Sequence, residues 1–427
     1  MYARSVKRVT AARLARLGGL ALMAAVAWSA TQPAAAQTVE KAAPLAASKI
    51  LPPNLRQGPD FKVREQVSND GLINTYVVES KFGTFTAVTT AKLRQRVGEV
   101  VALRHMESIR RSDLFAKAIG GSVRSTVGAV ENTVRDPIGT VSNVFSGVGK
   151  AFSRTNESLF GSAKSDAEDG AAASLLGVSE AKRKFAADFG VDVYSDNQAL
   201  QERLDELARA TAFGKLSYSA ALSVVPGAAG AVATASGVVS TTDEIYRTTA
   251  PADLRILNRR KLQAMGVRED AVEIFLENSR FTPREQTELV AALERMPGNK
   301  SRELFVRFAA LTNDRDMAYF RSRQARMYAG YHAKVAPLSS FVAFGEFVAA
   351  RTNAGGIVFN VPVDHMVWTQ WLADAVTRID QSASALSGVT EKRLVLVGTL
   401  TPLARKSLAA KGWQVTENAE NLITPLR

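Results

Sequence analysis

Between residues 119 and 152, apolar side chains recur at intervals of three and four: Ile119, Val123, Val127, Val130, Val134, Ile138, Val141, Phe145, Val148 and Phe152. Ile119, Val130, Val141 and Phe152 are each eleven residues apart. Eleven residues in three turns is about 3.67 per turn, so the stripe stays on one face of a nearly straight helix. The opposite face is mostly Gly, Ser, Thr and Asn: Gly120, Ser122, Ser125, Thr126, Asn132, Thr133, Thr140, Ser142, Asn143 and Ser146. Asp136-Pro137 interrupts the run, because proline disfavours helix at the residue before it.

Other segments carry shorter patterns. Residues 61–67 and 72–79 alternate in period two around Asn69-Asp70-Gly71, and Phe82-Gly83 leads into a third run, 84–88. That pattern predicts a three-stranded meander. Thr90 can cap a helix from about Ala91, with Leu93, Val97, Val100, Val101 and Leu103 facing inward. Ser179-Glu180 opens a helix that Gly190 ends, and Ser195-Asp196 precedes another over 198–212, apolar at Leu200, Leu204, Leu207 and Ala208. Residues 216–240 carry no charge and hold Pro226-Gly227 near the middle. They read as a tightly packed helical hairpin or as a membrane-inserting one. Over 251–335 helical periodicity is punctuated by Gly266, Thr282-Pro283, Pro297-Gly298 and Thr312-Asn313-Asp314, which predicts four or five helices.

The C-terminal pattern alternates between the two periods. Residues 357–361 and 393–397 read as buried strands, 413–415 as a last one, with helices over 365–379 and from Pro402 to Gly412. Strands separated by helices imply parallel pairing. The expected fold class is α+β and predominantly helical, with an N-terminal β-meander and helix, a helical middle and a small C-terminal α/β unit. The expected divisions are 1–36 signal peptide, 37–60 linker, 61–118 meander plus helix and 119–155 amphipathic Gly/Val-rich segment. After them come 156–174 flexible connector, 175–335 helical domain and 336–427 α/β unit. A length of 427 residues fits two or three domains.

Composition narrows the chemistry. The chain has no cysteine, which removes disulfides, thiol nucleophiles and cysteine-held metals. His105, His332 and His365 are the three histidines, with no metal-ligand spacing, so neither a metal nor a cofactor is expected. Arg4, Lys7, Arg8, Arg13 and Arg16 precede an apolar run over 17–30, and Ala34-Ala35-Ala36 follows Pro33. Such a segment is expected to direct export, to the periplasm or outside the cell, and to be cleaved before Gln37. The net charge of +13 would lose five with it. Residues 84–154 hold eleven Lys/Arg against five Asp/Glu, so the basic excess lies beside the stripe. Nucleic acid would require a denser basic face than the Arg302–Arg326 stretch, where Glu303, Asp314 and Asp316 intervene.

As a pattern, the stripe resembles the eleven-residue repeats of synuclein and apolipoprotein helices and the Ser/Thr-faced lipid-packing sensors. That resemblance implies a peripheral membrane contact, with Val, Ile and Phe at the headgroup boundary. Two partners fit the stripe: an anionic membrane surface or an envelope protein. Packing against helices of the same chain satisfies it equally well.

Nucleophile-elbow, zincin, phosphate-loop and dinucleotide motifs do not occur in the sequence. The remaining chemical candidate is the C-terminal edge of the expected parallel strands, where Asp364 and His365 follow one strand and Thr399 and Thr401 the next. A hydrolase would use Asp364 and His365 there, with Thr399 and Thr401 binding a polar substrate. Helix capping alone accounts for Asp364 and Thr401. A non-enzymatic exported protein is the leading expectation, with such a hydrolase or a secreted membrane-active protein as alternatives.

Overall fold

The computed structural model describes residues 38–123, 169–213, 216–236 and 244–423. The expected signal peptide and the stripe from Val127 to Phe152 lie outside the described residues, as does most of the expected connector. The fold is mixed α+β: an N-terminal antiparallel sheet, a helical middle, and a C-terminal sheet with partly parallel strands.

The first elements are β1 (Leu45–Ala46), α1 (Ala47–Ile50), α2 (Pro53–Arg56) and β2 (Gln57–Gly58). They occupy a stretch expected to be linker. Ala47, Leu51 and Leu55 explain the difference, because all three are buried in the core under the N-terminal sheet. Three apolar positions in nine residues anchor the chain without any long periodicity. The meander follows as β3 (Phe61–Val63), β4 (Gln66–Asn69), β5 (Asn74–Ser80) and β6 (Gly83–Val88), all antiparallel. Its first turn uses side-chain acceptors: Asn69 Oδ1 takes the Gly71 N–H at 2.7 Å, and Asp70 Oδ1 takes the Leu72 and Ile73 N–H groups.

Helix α3 (Thr90–Arg110) starts one residue earlier than expected. Thr89, not Thr90, is its N-cap and accepts the Lys92 N–H at 3.2 Å. Leu93, Val97 and Val100 pack under the sheet, and Val101 and Leu103 face the next helices. α3 therefore belongs to two cores, which fixes the sheet against the helical middle.

Helix α4 (Asp113–Val123) carries the start of the stripe as helical backbone. Helix α5 (Asp169–Asp188) begins within the expected connector. α6 (Gln198–Ala212) buries Leu200, Leu204, Leu207 and Ala208 as expected. The uncharged run forms α7 (Tyr218–Ser223) and α8 (Ala228–Ser236) around Gly227, which holds a positive φ of 77°. Their apolar faces enter the core beside α3, where Val232 packs over Gly98. The described part of this run is thus a packed helical pair. Among the described residues no helix is long and apolar enough to cross a membrane.

After α9 (Glu244–Thr248) come α10 (Pro251–Ala264), α11 (Glu269–Glu277), α12 (Pro283–Glu294), α13 (Arg302–Ala310) and α14 (Arg315–Lys334). The stop signals act at the expected places. Thr282 and Glu285 form a reciprocal capping box at the start of α12. Glu288, on the same helix, is buried and accepts from both Arg284 and Arg326.

The C-terminal sheet runs β13-β11-β9-β8-β7. It comprises β7 (Leu338–Phe344), β8 (Phe347–Thr352), β9 (Ile357–Val361), β11 (Lys392–Leu396) and β13 (Trp413–Thr416), the last three mutually parallel. Between them lie β10 (His365–Met366), α15 (Gln370–Ser384), β12 (Thr399–Leu400) and α16 (Pro402–Ala410). One face of this sheet shares a core with α10–α14, through Phe341, Val348, Val358 and Val395. The other packs against α15 and α16. A division at residue 336 would cut the first of these cores.

His332 lies in the last turn of α14, and its Nδ1 accepts the Leu338 N–H at 3.0 Å, tying the helix end to β7. Burial lowers its pKa below the ordinary 6.5. The neutral ring's contribution is complete above pH 6.5 and is lost as pH falls through the lowered value. The urea midpoint should therefore fall between pH 7.5 and 5.5. His332→Asn, whose Oδ1 can replace the Nδ1 acceptor without titrating, should show a smaller fall; an unchanged fall would remove His332 from the acid response.

Candidate functional site

The expected chemical edge exists but is assembled differently. Beyond β9 and β11 the chain continues into β10 and β12, which pair in parallel with His365 opposite Thr399 and Met366 opposite Leu400. Gly398 N–H donates to Val363 O at 2.9 Å, and Thr399 N–H to Asp364 O at 3.1 Å. A Cβ at Gly398 would stand 1.7 Å from the Asp364 carbonyl oxygen, so only glycine allows this approach. The expected helix over 365–379 is corrected accordingly. It starts at Gln370, capped by Thr369, because residues 363–367 give their backbone hydrogen bonds to β12 and to the β4–β5 turn. Trp368 consequently precedes the helix and is buried, whereas Trp371 is 48% exposed.

Asp364 is a cap, but of a distant helix. Its Oδ1 accepts the Thr90 N–H at 2.9 Å, at the start of α3, and its Oδ2 accepts the Asn74 N–H at 3.0 Å, at the start of β5. The negative charge faces the positive end of α3. Asn74 Nδ2 donates to Tyr76 Oη at 3.0 Å, and that hydroxyl lies 2.7 Å from Thr90 Oγ1. Burial and the Asp364 charge push the Tyr76 phenol up to about 12. Burial raises the Asp364 carboxyl above its ordinary 3.8. Thr89, between β6 and α3, holds a φ of 87°, a strained conformation for a β-branched residue. The carboxylate therefore locks the N-terminal sheet, α3 and the C-terminal sheet at one point.

His365 faces other partners. Its Nδ1 is 2.9 Å from Thr399 Oγ1. Burial lowers its pKa, while the Glu40 and Glu417 carboxylates act in the opposite sense. Thr401 caps α16 through the Ala404 N–H at 3.2 Å, and its hydroxyl donates to Glu40 Oε2 at 2.5 Å. Glu40 is fixed to Trp368 in both directions: Glu40 N–H donates to Trp368 O at 2.8 Å, and Trp368 N–H to Glu40 Oε2 at 3.1 Å. Glu417 Oε2 accepts the Leu400 N–H at 2.7 Å.

All four candidate residues thus lie within one junction, in two sets. Asp364 belongs to a half-buried backbone-capping network that rests on the buried Asn74 and Tyr76. His365 and Thr399 form a histidine–hydroxyl pair at the surface, flanked by Glu40, Glu417 and Thr401. A nucleophile–base–orienter chain would need a carboxylate bonded to the histidine; among the described residues no hydrogen bond joins Asp364 to His365. Glu40, Asn74, Tyr76 and Thr90 carry no sequence signal as site residues. Asn74 and Glu40 are 290 and 328 positions from their C-terminal partners, and nothing local marks the connection. Among the described residues no group of three or more His, Asp or Glu side chains could hold a metal ion. Neither protein-family models, curated proteins nor solved structures yield a match to this chain.

Proposed function

We propose that the chain is an exported, non-enzymatic envelope protein that contacts an anionic membrane surface through residues 119–152. The eleven-residue period carries the reading: ten apolar side chains fall on one helical stripe opposite Gly, Ser, Thr and Asn. α4 already holds the first of these positions as helix. The eleven basic and five acidic residues over 84–154 supply attraction to anionic lipid, worth about 1 kcal/mol per Lys or Arg near the surface. The early basic and apolar segment supports export.

The full chain should co-sediment with phosphatidylglycerol-containing vesicles and release them as salt rises from 0.05 to 0.5 M, on the order of the range over which charge screening tightens. Val130→Asp combined with Val141→Asp places two charges in the stripe. Vesicle binding should fall at least tenfold while the urea midpoint stays within error. If the parent chain binds no such vesicle, the stripe serves an envelope protein or its own fold instead, and the membrane proposal fails.

A further inference from the structure

Among the described residues, the N-terminal sheet has one long edge without a neighbouring strand. β6 pairs with β5 alone, in unbroken register from Thr75–Val88 to Ser80–Gly83. Thr89 N–H donates to Asn74 O at 2.8 Å, which sets the parity: alternate residues back from Thr89 bond to β5. The N–H and C=O groups of Thr84 and Thr86 consequently point away from the sheet. Among the described residues nothing pairs with them. Exposed edges are ordinarily blunted by charge, proline, bulges or brevity. The sequence Gly-Thr-Phe-Thr-Ala-Val contains no charge and no proline, and its ladder has no bulge. The sheet's other outer strands, β1 and β2, are two residues long each.

Beside this edge lies a groove of about 500 Å3, with Thr84, Phe85 and Thr86 on one wall and Asp196, Gln198 and Glu202, from the start of α6, on the other. Its charge is negative although the whole chain is +13. Arg96 is taken up by Glu99 at 2.8 Å and Asp196 at 2.6 Å. Glu99 is completely buried and satisfied by Arg96, Ser195, Asn197 and Gln95, so this wall is held rigidly. Glu202 accepts from the Gln198 amide, and among the described residues it has no other donor and no cationic partner.

We propose that the groove between β6 and α6 takes an extended, lysine- or arginine-bearing segment of a partner polypeptide, which adds to the sheet as a strand beside β6. The main chain of Thr84 and Thr86 supplies the ladder bonds, and Glu202 meets the basic side chain. About four residues of an extended segment, at roughly 3.3 Å each, cover both outward-facing threonines.

The test selects a random decapeptide phage library on the full chain and measures the recovered peptides as free synthetic peptides by fluorescence anisotropy. Recovered peptides should carry a lysine or arginine. They should bind at least tenfold more weakly to Thr86→Pro, which deletes an outward N–H while leaving every bond to β5. Glu202→Lys should weaken them to a similar extent, and it decides the matter if Thr86→Pro does not fold. No recovered peptide, or peptides indifferent to both substitutions, overturns the proposal. Parent chain that sediments as a dimer, with Thr86→Pro a monomer, also overturns it, because the strand would then come from a second copy.

Discussion

Asp364→Ala should lower the stability of the folded chain by about 2–4 kcal/mol, read as a fall in the urea midpoint at unchanged slope. The substitution leaves two donors at a half-buried junction, the N–H groups of Thr90 and Asn74, without their acceptor. Each such orphan costs about 1–3 kcal/mol, and the gain from no longer burying a carboxylate offsets part of the sum. Asp364→Asn retains one acceptor and turns an amide N–H toward the other donor, so its loss should be smaller than alanine's. The pH response separates charge from shape. Burial raises the Asp364 pKa, so the folded state favours the neutral acid. Its contribution is complete below the ordinary 3.8 and declines as pH rises through the raised value. Asp364→Asn should lack that decline. An alanine variant within about 0.5 kcal/mol of the parent would show that the junction does not depend on this carboxylate.

Elements with strong local signals are legible in the sequence. Helices α10, α12 and α13 end at Ala264, Glu294 and Ala310, beside the punctuation that predicts them, because capping boxes and left-handed glycines act within four residues. The parallel order of β9, β11 and β13 follows from helices between strands. Residues 45–58 escape such reading for the opposite reason. Their elements are two to four residues long, and burial of Ala47, Leu51 and Leu55 replaces periodicity as the organising force.

The junction is legible only as a set of residue types. Asp364, His365, Thr399 and Thr401 are expected together at a strand edge, and they are together. Capping is also the correct chemistry for Asp364. Sequence reasoning assigns it the wrong helix, because it pairs a cap with the next residues along the chain. Here the acceptor serves a helix 274 positions earlier. The buried Glu99 network is similar: Arg96 is three residues away, but Ser195 and Asn197 are nearly a hundred. Composition shows that such charges exist, and only tertiary contact shows that burial leaves them paired.

Two glycine-to-alanine substitutions in helices should act in opposite directions. In a solvated helix the exchange stabilises by about 0.5–1 kcal/mol, because alanine loses less backbone entropy. Gly230 in α8 has no neighbouring atom within 4 Å of the place a Cβ would occupy, so Gly230→Ala should gain that amount. Gly330 in α14 is its contrary. A Cβ there would lie 1.8 Å from the Leu422 carbonyl oxygen and 2.7 Å from its carbonyl carbon. Those are backbone atoms, held by Leu422 and Ala419 in the shared core and by the Lys334 ammonium on Asn421 O at 2.5 Å. The short 3-10 turn, Ala419–Leu422, must move away from α14 as a unit. Gly330→Ala should therefore cost about 3 kcal/mol in spite of its better helix propensity, and thermal melts of the two variants should shift oppositely from the parent. Equal shifts of one sign would mean that helix propensity, and not the approach of the turn to α14, governs position 330.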